Sequence, residues 1–352
     1  MSIGTEITRL ANAKSAIATA ITNKGVTVPS STKLDGMAAL INSIANQAEL
    51  ESITVKTPPT KLDYIPGDTF DATGLVLTVL VGEVEIDITS GYTITPETMA
   101  ADTTSVTISY TAGVKTVSTT QAVTMIECDP VLENNTWAKI AEIAAYGKAA
   151  QIWSIGDVKQ LSIDGTNYPA TIVDFGHHDL DSTDTKYGDA EYNSGSNKAG
   201  ITFWVAGMYK NTKYAMYGSD TDGITWQTST VRTSVMPTIK NQLPTELQAV
   251  LRTVRTPQNA RDDTADQLFL LSSIEIGSKN GSTTYVKDKT GSMLAYFVAG
   301  NERRLKRNNA YDDWWTRTTN STNSFVTVDE TGNLYYGFTY GIAGGVAPAF
   351  CL

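Results

Sequence analysis

Hydrophobic residues fall at Ile3, Ile7, Leu10, Ile17 and Ile21, and Lys14 completes a spacing that alternates four and three. This is the seam of a short heptad pattern, so the first segment reads as a helix. Ala11, Ala13, Ala16, Ala18 and Ala20 add helix propensity around the seam. Gly25-Val-Thr-Val-Pro29 breaks the helix, and Thr32, with Asp35 three residues on, reads as the N-cap of a second one. Leu34, Met37, Leu40, Ile41 and Ile44 supply its apolar stripe. Two short helices within residues 1–49 bury little surface alone. They predict a partner, either a second copy of the chain or a larger assembly; the alternative is a loosely attached helical hairpin.

From 50 to 127 the period drops to two. Ile53 and Val55 alternate, as do Leu75, Leu77 and Val79, and then Val106, Ile108 and Tyr110. Turn signals recur at Pro58-Pro59, Pro66-Gly67-Asp68, Gly82, Gly91 and Gly113. Short alternating strands with regular turns predict a small all-β sandwich. It has neither a cysteine pair nor a tryptophan, so it lacks the marks of an antibody domain. It reads as a spacer or a weak adhesion unit.

Residues 129–352 are rich in Gly, Asn and aromatic residues, and mix both periods, which predicts an α+β domain. Helices are expected over 138–146 and, as a pair broken near Pro244, over 230–254, with Leu247, Val250, Leu251 and Val254 on one face. Strand-like runs cover 160–163, 170–173, 201–205, 268–274 and 325–328. Long connections separate them, and connections of that length inside a compact domain are usually functional.

The length of 352 residues suits two or three domains. A net charge of -10 argues against general nucleic-acid binding and against anionic membranes. The one basic run, Arg303-Arg304-Leu305-Lys306-Arg307, reads as a solvated turn or strand edge. No stretch approaches the ~18–20 apolar residues of a membrane span, and no secretory signal pattern opens the chain. Cys128 and Cys351 form no disulfide framework. They pair if the third segment brings its ends together, and otherwise read as small buried hydrophobes.

His177-His178-Asp179, followed by Asp181 and Asp184, is the best metal or acid–base candidate. Its spacing fits no helix face. The calcium-loop pattern fails too, because Thr183 stands where a third oxygen ligand belongs. The structural reading is a turn whose histidines pack or hydrogen-bond. Asp220-Thr-Asp222-Gly223 reads as a turn. There is no G-x-S-x-G elbow and no local signature of paired glycosidase carboxylates. No catalytic residue, metal or cofactor is assigned.

The stretch 291–352 is the most informative. Trp314, Trp315, Arg317, Gly332, Gly341 and the run Gly345-Val-Ala-Pro348-Ala-Phe350 look like a rigid frame. At least one tryptophan is expected in the core, with a sugar-stacking platform as the alternative. Arg317 is expected to pair internally with a carboxylate or carbonyls. Between the frame positions lie Asn308, Asn309, Tyr311, Asp313, Asn320, Thr322, Asn323, Ser324, Tyr335, Tyr336, Phe338 and Tyr340. These residue types suit a binding surface, with flat rings of low entropic cost and adaptable hydrogen bonding. Tyr336, Phe338 and Tyr340 alternate, which puts them on one face of a strand. No aliphatic residue interrupts 335–340, whereas a core strand more often uses Val, Ile or Leu. Asn320-Ser-Thr-Asn-Ser324 reads as an exposed loop beside that face.

Trp153-Ser-Ile-Gly156-Asp157, Phe175-Gly-His-His-Asp179, Trp314-Trp315-Thr-Arg317, Gly332 and Gly345 to Phe350 resemble a C-type-lectin-like fold of the formylglycine-generating-enzyme type. The variable-looking positions resemble those of proteins rewritten by diversity-generating retroelements, and such domains are frequent on phage tails. The middle segment resembles a bacterial immunoglobulin-like domain. Ala13-Lys14, Ile17, Ile21, Lys24-Gly-Val-Thr-Val-Pro29 and Lys33-Leu34 are similar to the starts of phage tail and fibre proteins.

The resemblance implies a multidomain virion protein made in the bacterial host cytoplasm. An N-terminal α-helical segment (1–49) attaches or oligomerises it, an immunoglobulin-like sandwich (50–127) spaces it, and a lectin-like domain (129–352) binds. Its expected partners are a bacterial cell-surface protein or glycan, other phage tail proteins, and copies of itself as a homo-oligomer, a trimer by analogy with tail fibres. No nucleic acid and no membrane insertion are expected. Formylglycine-generating enzymes work through cysteines, and only Cys351 lies beyond Cys128, so that activity is not implied. The Glu-Pro-Asn and Trp-Asn-Asp motifs of calcium-dependent lectins are absent as well. The alternatives are an invariant structural tail or adhesin protein, and a glycan-active tail enzyme.

Overall fold

The computed structural model describes residues 2–41, 50–82, 84–219, 222–258, 261–287, 291–340 and 344–352. The chain divides into two units, Met1–Glu127 and Cys128–Leu352. Both are mostly β with a few helices, and neither forms a barrel.

The first unit opens with α1 (Ile3–Thr22), whose N-cap Ser2 side chain accepts from the Thr5 amide. Among the described residues only its far end is packed. Ile21, Val26 and Met37 form a small core, with Ala18, Val28 and Leu40 against it. Gly25 turns the chain at φ +84, where a Cβ would lie 2.6 Å from Val114 Cγ1, so the turn requires glycine. The rest of the seam faces outward: Ile3 is 83% exposed, Ile7 62%, Leu10 50% and Ile17 36%.

A second helical stretch, α2, lies at residues 37–41, so Thr32 is not its cap. The Asp35 carboxylate accepts from the Gly36 amide and the Met37 amide donates to the Leu34 carbonyl, which holds this stretch as a turn. Leu34 and Ile41 are exposed. Ile44, placed on this helix by the sequence pattern, lies outside the described residues.

The strands of this unit are β1 (Leu50–Thr57), β2 (Asp63–Tyr64), β3 (Val76–Val81), β4 (Val84–Ile88), β5 (Tyr92–Thr95), β6 (Ser105–Ala112), β7 (Lys115–Ala122) and β8 (Thr124–Met125). They form two three-stranded antiparallel sheets, β1-β3-β4 and β5-β6-β7, and a parallel pair, β2-β8. The alternating residues read from the sequence do face inward. Ile53, Leu75, Leu77 and Val79 share one core with Val106 and Ile108 of the other sheet.

The second unit carries helices α3 (Trp137–Ala145), α4 (Ala149–Ile152), α5 (Met236–Asn241), α6 (Thr245–Val250), α7 (Ser273–Ile276) and α8 (Ala295–Val298). Its strands begin with β9 (Val158–Ile163), β10 (Thr166–Phe175), β11 (Ile201–Val205), β12 (Lys213–Tyr214), β13 (Val254–Gln258), β14 (Arg261–Asp266) and β15 (Leu268–Leu270). They continue with β16 (Leu305–Arg307), β17 (Ala310–Asp312), β18 (Trp314–Ser321), β19 (Ser324–Val328), β20 (Leu334–Phe338), β21 (Gly344–Gly345) and β22 (Pro348–Cys351).

Two five-stranded sheets result, ordered β15-β22-β11-β10-β9 and β12-β21-β18-β19-β20. The first is packed on α3, where Trp137 meets the stacked rings of Phe203 and Phe350 edge-on at 5.5 and 5.7 Å. Two expectations change here. The run 268–274 is not one strand, because Ser272 and Glu275 form a capping box that starts α7. Val254 leaves the expected helix and opens β13, although it is buried like Leu247 and Leu251.

Candidate functional site

The second sheet is the frame for the residues singled out in 291–352. Trp314 and Trp315 are both fully buried, which rules out the exposed sugar-stacking platform. The Trp314 Nε1 donates to the Arg303 carbonyl at 2.9 Å, and its ring lies 5.4 Å from that of Trp204. The Trp315 Nε1 donates to the Tyr214 carbonyl at 2.6 Å. Its ring fills the space where Gly337 and Gly344 have no side chains: a Cβ would lie 2.6 and 3.0 Å from it. Gly341, the remaining frame glycine, lies outside the described residues.

Arg317 pairs internally. Its Nη1 and Nη2 donate to the two oxygens of Glu275 at 2.7 and 2.6 Å, and Nη1 also reaches the Leu270 carbonyl at 2.8 Å. His178 completes this buried network, with Nε2 at 3.1 Å from Glu275 Oε1 and Nδ1 at 3.0 Å from Thr202 Oγ1. Burial holds the His178 ring below its usual range, so it is neutral. Burial alone would raise the Glu275 carboxyl, but Arg317 and His178 hold it well below the usual carboxylate range.

His177, His178 and Glu275 bring three ligand atoms within 4.8 Å of one another, close enough for a metal ion. Both Glu275 oxygens are engaged by a guanidinium, however, and that charge would repel a cation. The chemistry of the set is that of an ion-pair core. Asp181 and Asp184 cap local turns through the Thr183 and Lys186 amides. Asp220 lies outside the described residues. Cys128 and Cys351 are both free; Cys351 is buried, and desolvation pushes its thiol up to about 12, whereas Cys128 is half-exposed rather than buried.

The variable-looking residues are spread along β18: the β16–β17 hairpin precedes its Trp314 end, the turn 320–323 follows its Ser321 end, and β20 runs its length one strand beyond β19, with Tyr335 level with Trp315 and Phe338 level with Ser321. Trp314 pairs through Val328 with Leu334 at one end, and Ser321 pairs through Ser324 with Phe338 at the other. At roughly 3.3 Å per residue, β18 separates the two ends by about 25 Å.

At the Trp314 end stands the β16–β17 hairpin. Asn308 and Asn309 form its turn, at φ 50 and 66, and Asn308 hydrogen-bonds the side chain of Asn211. Tyr311 lies under Arg304, 4.0 Å from the ring centroid, and beside Lys306. Arg303 is buried, so this basic run is not wholly solvated. Asp313 is half-buried, and burial together with the Glu330 carboxylate pushes it up to about 6.

That shift has a definite sign. The folded state prefers the protonated form, so the contribution is fully present below the ordinary value of 3.8 and is lost as pH rises through about 6. Asp313→Asn should therefore leave stability unchanged below pH 4 and raise it above pH 6. Discounted for its solvent-facing half, the gain is about 1 kcal/mol. Urea denaturation at both pH values measures it, and an equal effect at both would refute the assignment.

At the other end, Thr322 is exposed and Asn320 and Asn323 are half-buried, but Ser324 is buried and bonded to Ser321 and Asn320. The expected exposed loop is thus only the turn itself, since Ser324 already pairs within the sheet. Across β19 runs the edge strand β20, where Tyr335 is 50% exposed, level with Trp315, and Phe338 45%, beside the turn; just beyond, Tyr340 is 51% exposed.

Tyr336 is half-buried. Its ring stacks on Tyr335 at 4.9 Å and meets Phe338 edge-on at 5.8 Å. Tyr285, from a distant loop, joins at 5.5 Å from Tyr335 and 5.9 Å from Tyr336. Tyr285 had no signal in the sequence, because only tertiary contact brings it to β20. The result is a cluster of four rings at the strand that ends the sheet among the described residues. It offers flat apolar area and phenolic hydroxyls.

No curated protein and no solved structure matches the chain. Residues 206–352, which include this ring cluster, β18 and the Arg317–Glu275 pair, match the model of a family described as a domain of unknown function, DUF6273.

Proposed function

We propose that this chain is a non-enzymatic binding protein of a phage tail, and that it presents the β20 ring face to a bacterial cell-surface protein or glycan. The observation that carries the binding reading is the half-exposed cluster of Tyr335, Tyr336 and Phe338 on β20 with Tyr285 from a loop, on a strand whose Gly337 is packed against the buried Trp315. A tolerant polar and aromatic surface on a rigid frame is what a binder needs if its contact residues are to vary. The resemblances to a C-type-lectin-like domain, an immunoglobulin-like domain and tail-protein starts supply the phage setting. Diversification by a retroelement predicts a near-repeat of the 3′ coding sequence, differing at adenines. A genome lacking that repeat favours an invariant tail or adhesin surface.

Tyr335→Ala with Tyr340→Ala should weaken binding to the cognate cell surface at least 30-fold, roughly the loss of one hot spot. Both side chains are about half exposed, so the melting temperature should move by less than about 3 °C. Labelled protein on whole bacterial cells and a glycan array, with and without EDTA, measures the first effect. Binding that survives the double change, or a large stability loss, would refute the ring face as the contact.

The exposed seam of α1 supports self-association. Ile3, Ile7, Leu10 and Ile17 form its exposed apolar row, and Lys14 in the middle of the seam would set register. Ile7→Asp with Leu10→Asp should convert the assembly to monomer in sedimentation equilibrium. A wild-type chain that is already monomeric would end this part of the reading.

A further inference from the structure

The second unit contains a groove of about 680 Å3 that shares no residue with the ring face. Its volume lies in the ~300–1,000 Å3 range of small-molecule sites. One wall is a π-helical turn, Val231–Val235, running directly into α5; the other is the end of β14 and the start of β15. Such turns re-aim side chains and recur at functional sites. This one brings Arg232 to the groove.

Arg232 is fixed from behind by Asp266, which is nearly buried. One Asp266 oxygen accepts from Trp226 Nε1 at 2.9 Å, Thr256 Oγ1 at 2.7 Å and Thr264 Oγ1 at 2.6 Å. The other accepts from Arg232 Nε at 2.7 Å. The two terminal nitrogens each donate once, to the Gln227 and Ala265 carbonyls, at 3.3 and 3.4 Å. A guanidinium has five N–H groups, so about two remain without an acceptor among the described residues.

Lys240, two turns further along, also lines the groove, and its ammonium has no ion pair or hydrogen bond among the described residues. Thr183, Asn241 and Gln267 add a hydroxyl and two amides, over a floor of Met236, Pro237 and Leu268. No aromatic ring lines it, so it is not built to stack a neutral sugar. The Asp266 carboxylate also lines the groove, but its oxygens are engaged by Arg232, Trp226, Thr256 and Thr264; the guanidinium and the ammonium on the same groove suit an anion.

We propose that this groove is a second ligand site for an acidic group carried on a polyhydroxylated body. Arg232 and Lys240 hold the anion, and Thr183, Asn241 and Gln267 hold the hydroxyls. The acid is either the carboxylate of a uronic acid or the phosphate of a polyol phosphate. Titrating the full chain with D-glucuronate, glycerol 3-phosphate and D-glucose by calorimetry separates the two sources.

The expected result is saturable binding of at least one acidic probe and none of glucose. Lys240→Gln, a change at a groove-lining surface position, should weaken it roughly tenfold, the loss of one charged hydrogen bond. Tyr335→Ala with Tyr340→Ala should leave it unchanged, which keeps this site distinguishable from the ring face. The proposal fails if neither acidic probe saturates, if glucose binds as well as glucuronate, or if Lys240→Gln has no effect.

Discussion

Arg317→Ala should cost the second unit about 3–5 kcal/mol, read as a fall in the urea midpoint, because it strands a buried carboxylate. Glu275 loses two charged hydrogen bonds and, among the described residues, keeps His178 and the Ser272 amide at 2.7 Å. Replacing both partners, Arg317→Met with Glu275→Leu, should recover much of the loss, since no uncompensated charge then remains. A double variant as unstable as the single one would mean that Arg317 acts through its packing instead.

The pH dependence carries the same signature. In the wild type both Glu275 and His178 titrate below their ordinary values of 4.5 and 6.5. Their contributions are therefore present above those values and are lost as pH falls, so the protein should weaken from about pH 6.5 downward and again below 4.5. In Arg317→Ala the stranded carboxyl prefers its proton, and the penalty should shrink on acidification. A penalty independent of pH would contradict the ion-pair account.

Trp315→Ala should cost a further class of stability, about 3–5 kcal/mol for a fully buried indole. Its consequence reaches the surface. The ring is the spacer between β18 and the side-chain-free faces of Gly337 and Gly344, so removing it loosens β20, on which Tyr335, Tyr336 and Phe338 ride. Binding at the ring face should fall although Trp315 touches no solvent.

The reverse change tests the same contact. Gly337→Ala places a Cβ 2.6 Å from the indole and should cost about 1–3 kcal/mol. In a Trp315→Phe background that cost should shrink, a coupling that a double-mutant cycle detects. Strict additivity would show that the two residues do not share the space.

How much of this was legible depended on whether one face of an element stays wet. In the first unit the strands keep a core face and a solvent face, and Leu75, Leu77 and Val79 reveal their period directly. β11 was legible as well, as a short apolar run buried throughout. β18 was not read as a strand: Thr316, Arg317 and Thr318 are all buried, their polar groups satisfied by partners such as the Val326 carbonyl and Glu275, so no alternation survives.

The start of α7 was readable and missed, since Ser272-Ser-Ile-Glu275 carries a capping-box signature inside an apolar run. In the candidate site, the exposure of Tyr335, Phe338 and Tyr340 followed from residue type. The spread of the set along the length of β18 and the arrival of Tyr285 follow from strand pairing and tertiary contact, which are not local information.

The place of β22 has a consequence for synthesis. It lies between β15 and β11, yet it is the last strand of its sheet to leave the ribosome. Until it arrives, both neighbours present open edges and the sheet cannot close. Any chain whose reading frame is lost between 291 and 347 lacks this strand altogether. In-frame changes on the hairpin, the turn or the ring face leave β22 intact. Closure of the sheet thus waits on the last of its five strands in chain order, and everything encoded between β15 and β22 is made before the sheet can complete.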